Sequence, residues 1–189
     1  MLNSIINSKV ICDDNVININ TEKLYREAED CFFYFNRYKK AIEKLNEAIK
    51  LTPAHAKSLK LRGDINYALG NIDGALEDYT SAAALKPNDA ILLASISSLY
   101  EILGKYELAL AFCEDAMNKI NIYTNRIFSQ LCELKINILI SMQRYSEAEN
   151  YLNFAKRRFS PEELYGTHEY LKKKLELIEK INNLSLKIV

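Results

Sequence analysis

Apolar residues return along most of this chain at the three- and four-residue spacing of an amphipathic helix, and the helical stretches break at regular points. Within residues 56–89, Leu59, Arg62, Gly63 and Asn66 mark one helix face, Gly70 ends that helix, and Ala75, Tyr79 and Ala82 mark the next. The pattern predicts two helices joined by a tight turn. A glycine just past a helix can take the left-handed conformation that closes its last turn. Gly70 and Gly104 suit that role, Asn36 is the next best residue for it, and Gln143 fits it less well. Pro53 and Pro87 stop the second helix of their units, since proline lacks the amide donor and clashes with the preceding turn.

The same marks recur every 34 residues. Pro53 and Pro87 form one series, Ala41, Ala75 and Ala109 another, Ala48, Ala82 and Ala116 a third, and Tyr38, Ile72 and Tyr106 a fourth. A further unit follows an insertion from Thr124 to Phe128, with Tyr145, Ala148, Leu152 and Ala155 replacing Tyr106, Ala109, Cys113 and Ala116. The alanines open each second helix and return two turns later on the same side, where a larger side chain would hold the two helices apart. Alanine also has the best intrinsic helix propensity, so packing and local preference agree. The expected organisation is all-α: a flexible segment over 1–20, four helical hairpins within 21–160 (units 22–55, 56–89, 90–123 and 129–160), and a C-terminal capping helix and tail over 161–189. Ser160-Pro161-Glu162-Glu163 has the form of a capping box with proline at the first helical position. Beyond it Leu164, His168, Leu171, Leu175 and Ile178 form a stripe suited to covering the fourth unit, with Gly166 weakening that helix by about 1 kcal/mol relative to alanine.

Composition narrows the function classes. An apolar content of 49% in 189 residues is enough to build a core. Lys+Arg and Asp+Glu both count 25, so the net charge is zero and the electrostatic drive toward nucleic acid is missing. The four cysteines, Cys12, Cys31, Cys113 and Cys132, are scattered without a C-x-x-C pair, and three of them fall in apolar helical patterns as small hydrophobes would. No metal or other cofactor and no disulfide framework is expected, and a reducing, cytoplasmic setting follows. No basic segment leads into an unbroken apolar run at the start of the chain, and no apolar run approaches the roughly 20 residues that span a bilayer, so no membrane partner is expected.

In the positions just named the sequence resembles the tetratricopeptide repeat (TPR) family. The signature falls on Leu59, Arg62, Gly63, Asn66, Ala75, Tyr79, Ala82 and Pro87 in the second unit, and on Tyr25, Ala28, Glu29, Phe32, Ala41, Leu45, Ala48 and Pro53 in the first. The third unit follows it with Leu93, Ile96, Ser97, Tyr100, Ala109, Cys113, Ala116 and Asn121, and the fourth is the weakest match. The resemblance implies a right-handed α-solenoid whose first helices line a concave groove, used as a non-catalytic scaffold or adaptor that binds another protein or peptide. The positions it assigns to the groove are Lys23, Arg26, Asp30, Phe33 and Tyr34 in the first unit, Lys57, Lys60, Leu61, Asp64 and Tyr67 in the second, Ser95 in the third and Asn137 in the fourth. An acidic or carboxylate group would lie near Arg26, Lys57 and Lys60, with an apolar side chain against Tyr67 or Phe33. The plainer reading of the same lysines is a solvated helix face.

The carboxylate clamp that some TPR proteins use for the C-terminal tails of Hsp70 and Hsp90 is not matched. Its positions hold Arg26, Asp30, Leu61, Ile91 and Ser95 in one register and Lys60, Asp64, Ser95, Gln130 and Leu134 in the next, one basic residue each. An alternative is a small TPR chaperone holding a secreted or unassembled partner; the chain itself is expected as a monomer or weak dimer. An enzyme is disfavoured by the absence of nucleophile-elbow, zinc-protease, phosphate-loop and dinucleotide-loop motifs and by a total of 5 glycines. His55 falls at a repeat junction, and the basic run Lys156, Arg157 and Arg158 ends a helix, where cations complement the helix dipole.

Overall fold

The helical stretches and turns read from the sequence become eight helices among the described residues: α1 (Ile19–Phe33), α2 (Tyr38–Leu51), α3 (Ala56–Ala68), α4 (Ile72–Leu85), α5 (Ala90–Ile102), α6 (Tyr106–Lys119), α7 (Asn125–Ser141) and α8 (Tyr145–Arg158). The computed structural model describes residues 9–12, 15–120, 125–159 and 176. The capping helix expected over 161–189, with His168 and the capping box, lies outside the described residues, Glu176 apart. Two compact units divide the chain after Pro87. In the first, α1 pairs with α2 and α3 with α4; in the second, α5 pairs with α6 and α7 with α8.

Within the segment expected to be flexible, Lys9–Cys12 (β1) and Asn15–Asn18 (β2) form an antiparallel hairpin in which Val10 faces Ile17 and Ile11 faces Val16. Four β-branched residues in two four-residue strands favour extended backbone, but they are too few to leave a periodic signal. Helix α1 starts at Ile19, ahead of the expected unit, and α7 starts at Asn125, so most of the insertion after Thr124 becomes the first turn of α7.

The turns inside the hairpins share one device. Gly70 and Gly104 sit at φ 76 and 70, and Asn36 and Gln143 take the same left-handed conformation at φ 50 and 60. At Gly70 the turn closes with the Asn71 amide on the Asn66 carbonyl and the Gly70 amide on the Tyr67 carbonyl, both 2.9 Å. Lys105 with Tyr100 and Arg144 with Leu139 repeat the outer bond at 2.9 Å. Gln143 thus bears the steric cost that glycine avoids, and the same pair of backbone bonds offsets it. The Asn71 side chain then caps α4 by accepting from the Gly74 amide, and Asp89 caps α5 by accepting from the amides of Ile91 and Leu92.

Core packing follows the alanine series. Ala41, Ala48, Ala75, Ala82, Ala109, Ala116, Ala148 and Ala155 are all buried. Ser97 is fully buried and its hydroxyl donates to the Ala109 carbonyl at 2.7 Å, a direct measure of how closely α5 meets α6. Cys31, Cys113 and Cys132 are buried; burial pushes the Cys113 thiol up to about 12 and the Cys132 thiol up to about 11, so neither is a thiolate near neutral pH. Cys12 is not among the residues whose side chains are described.

One buried ionic network joins three helices of the first unit. Asp78 of α4, with a side chain 3% exposed, accepts from Arg62 Nη2 at 2.6 Å and Nε at 3.0 Å, and from Asn66 Nδ2 at 3.0 Å. Arg62 Nη1 reaches on to Asn46 of α2 at 2.6 Å. At the α2 to α3 junction, Thr21 and Thr52 share a 2.7 Å hydroxyl bond, and His55 is buried with Nδ1 2.6 Å from the Ser58 hydroxyl. Its Nε2 lies 3.5 Å from Glu22 without forming a hydrogen bond. Burial lowers the imidazole pKa below its ordinary 6.5, and nearby Glu22 only partly opposes that.

Two outcomes test this packing. A methyl group at Gly63 would sit 2.7 Å from the Tyr79 ring, and that ring is held by the Tyr79 hydroxyl donating to Asp64 at 2.7 Å. Gly63→Ala is therefore expected to cost about 1–3 kcal/mol despite its better helix propensity, read as a lower thermal midpoint by circular dichroism. Because folding depresses the His55 pKa, the unfolded chain takes up that proton first, so stability is complete above about 6.5 and falls as the pH drops toward the lower folded value. Between about pH 7.5 and about pH 5.5 the wild-type midpoint should fall more than that of His55→Asn; parallel midpoints would show that His55 contributes nothing to the acid response.

Candidate functional site

The site begins with what the first helices cannot bury. In α1 the core takes Thr21, Leu24, Ala28 and Cys31, a three- and four-residue stripe. That leaves Lys23, Arg26 and Asp30 exposed on the remaining face. In α3 the core takes Ser58, Leu59, Leu61, Gly63 and Ile65, leaving Lys57 and Tyr67 exposed and Lys60 and Asp64 half-buried. The two helices touch within the first unit. Their contact brings Arg26 and Lys57 together around a shared carboxylate: Glu22 lies 3.8 Å from Arg26 Nε and 3.7 Å from Lys57 Nζ. The Lys57 ammonium also stands 5.9 Å over the Tyr25 ring, which makes a T-shaped contact with His55 at a centroid distance of 5.6 Å. Burial and the 2.6 Å bond that its hydroxyl donates to Glu29 push the Tyr25 phenol up, so it remains a neutral, donating surface.

Each remaining base has an acid beside it. Lys23 lies 4.0 Å from Glu27, which Lys44 approaches more closely at 2.7 Å, and Lys60 binds Asp64 at 2.9 Å. Asp64 also accepts from Tyr79. These acids, with the assigned Asp64 among them, make the face mixed in charge. Exposed pairs of this kind are screened by solvent and contribute little to stability.

The other assigned residues fall elsewhere. Phe33 ends α1, and Tyr34 lies in the turn after it; both are exposed beside Phe35 and belong to the end of the hairpin rather than to the helix face. Leu61, 4% exposed, packs with Ala28, Cys31, Ala41, Leu45 and Ile65 in the core between the first and second repeats. In the second unit Ser95 is partly buried and its hydroxyl donates back to the Ile91 carbonyl of its own helix, while Asn137 is partly buried on α7. The second unit has its own charged cluster: Lys135 binds Glu114 at 2.7 Å and stands 4.7 Å over the Tyr151 ring, whose hydroxyl donates to Met117 Sδ at 3.3 Å. Sequence reading missed both this cluster and the Arg62–Asp78 network, because partners on different helices leave no mark in local spacing. Among the described residues, no group of three or more His, Cys, Asp and Glu is placed to hold a metal, and no helix is long and apolar enough to cross a membrane.

Comparison with known proteins agrees with this geometry. The tetratricopeptide repeat family matches residues 32–90 and 67–117. BBSome complex member BBS4 of Bos taurus is 32% identical over 79 residues, 42% of this chain, and the matched stretch amounts to 15% of that relative's length. A thermophilic TPR protein of Thermus thermophilus has a similar structure, with TM-score 0.62 at 19% identity, covering 82% of each chain. The type III secretion translocator chaperone SycD of Yersinia enterocolitica is similar at TM-score 0.60 and 15% identity, over 65% of this chain and 94% of its own. With helical hairpins closed by left-handed turns, alanines where paired helices meet, and a family match over residues 32–117, that stretch of the chain is built of tetratricopeptide repeats.

Proposed function

We propose that the protein is a non-catalytic interaction scaffold, and that the face shared by α1 and α3 receives a peptide segment of a partner protein. The observation that carries this reading is the joint presentation of Arg26 and Lys57 by two successive first helices, around Glu22 and Tyr25. Lys60 and the exposed Tyr67 extend the same reading along α3. An acidic group on the peptide displaces Glu22 or Asp64 from weak, solvent-screened pairs, and an apolar side chain covers Tyr67. Selection comes from where the cations are fixed rather than from net charge. The Hsp70/Hsp90 tail is not the favoured ligand, since Asp30 and the buried Leu61 occupy positions that a two-carboxylate clamp needs for polar donors.

A second reading, a holding chaperone, rests on the likeness to SycD and on Ile91, 48% exposed at the start of α5. It predicts suppression of a client's aggregation and self-association, both measurable by light scattering.

The primary reading is tested by affinity purification from the source cell with wild type and with the double variant Arg26→Ala, Lys60→Ala. Loss of a defined subset of partners, with an unchanged thermal midpoint, is expected; loss of one charge-assisted contact each corresponds to roughly 1.5–3 kcal/mol of binding per residue. An identical partner set would remove this face from the function.

A further inference from the structure

The end of the first hairpin carries a surface that peptide binding does not use. Phe33, Tyr34 and Phe35 are consecutive and exposed at 62%, 78% and 58%. Their neighbours on either side, Phe32 and Tyr38, pack on the core cluster of the first unit, so the fold already has its aromatic anchors at this turn. The backbone there is fixed by the Tyr34 amide on the Asp30 carbonyl at 3.1 Å and the Arg37 amide on the Cys31 carbonyl at 2.7 Å. Three large aromatic side chains are therefore held outward on a rigid turn. The Arg37 guanidinium lies 5.3 Å over the Phe35 ring.

Antiparallel hairpins place the α3–α4 turn at the same end of the unit, and that turn adds Leu69, 52% exposed. From Cys31 to Ile42 the chain carries Arg37, Lys39 and Lys40 and no acid, and from Ile65 to Ile72 it carries no charge. The acids that flank these stretches are Asp30 and Glu43 on the first and Asp64 and Asp73 on the second, and Asp64 is held by Lys60 and Tyr79.

We propose that this end of the first unit is a membrane-docking edge, which places Phe33, Tyr34 and Phe35 in the interfacial layer of an anionic lipid bilayer while Arg37, Lys39 and Lys40 meet its phosphate groups. Phenyl and phenol rings with cations set behind them are the composition of interfacial anchors: the rings enter the headgroup boundary and the long basic side chains reach the charged plane. A protruding turn tip meets a fluid layer without needing a shaped pocket, and charge complementarity selects an anionic one. The described helices, 13 to 17 residues long, lie on such a surface and do not span it. Lys57 begins α3 and Leu69 follows its end, so a docked molecule keeps the Arg26–Lys57 part of the α1–α3 face open to a partner.

The test uses the full chain in sedimentation with vesicles of phosphatidylcholine alone and of phosphatidylcholine with phosphatidylserine. Binding to the anionic vesicles is expected to be roughly tenfold stronger than to neutral ones and to weaken with added salt. The triple variant Phe33→Ser, Tyr34→Ser, Phe35→Ser should lose it, and Lys39→Glu with Lys40→Glu should weaken it at least roughly tenfold, both with wild-type thermal midpoints. Absence of wild-type binding to anionic vesicles, or undiminished binding by the triple variant, would overturn the proposal. A wild-type dimer that the triple variant abolishes, with no vesicle binding, would assign the edge to a second copy of the chain and overturn it equally.

Discussion

Everything else in this protein depends on how closely the two helices of a hairpin approach. That distance is set by side chains that are small or absent where the helices cross: alanine at the opening of each second helix and again two turns on, glycine at 63, serine at 97. Close approach leaves one stripe of each first helix in the core and turns the rest outward. The exposed positions of α1 and α3 are thus a by-product of packing, and function can use only what that division leaves. The left-handed residue at each hairpin turn sets where one helix must end so that the next can begin in register.

Ion pairs in the first unit fall into two kinds. Arg62 and Asp78 are bonded through two nitrogens and completed by Asn66 and Asn46, with the carboxylate buried, so removing Arg62 would strand a buried charge. Arg26 and Lys57 share Glu22 across longer, solvated distances and lose little by exchanging it for another carboxylate. The first kind fixes how helices sit against each other. The second keeps cations in place on a surface without committing them, which suits a face that must accept a ligand.

Much of the fold was legible because its punctuation is local. Gly70, Gly104, Pro87 and the alanine series each act within a turn or two of their own position, and all of them stand where their spacing placed them. Features that depend on distant partners were not. Gln143 takes the left-handed conformation because the hairpin requires it there, against its own preference. Leu61 enters the core because the neighbouring repeat covers it, and the lysines read as a basic face have acids from other turns and helices beside them. The short β-hairpin before α1 is built from too few residues to show a period.

The Arg62 network has a consequence for how freely such repeats can be rearranged. Repeats in an array are nominally interchangeable modules, each needing only a neighbour with the right stripe. Here the guanidinium that satisfies Asp78 within its own repeat completes its bonding on Asn46 of the repeat before it. One period away from Arg62, Asp78 and Asn46 stand Ile96, Phe112 and Thr80, so no other repeat in the family-matched stretch offers the same set. A shuffled or duplicated second repeat would keep its Arg62–Asp78 pair and lose the Asn46 acceptor that ties the guanidinium to the repeat before it. The order of these two modules is therefore marked by a side-chain bond as well as by the covalent chain.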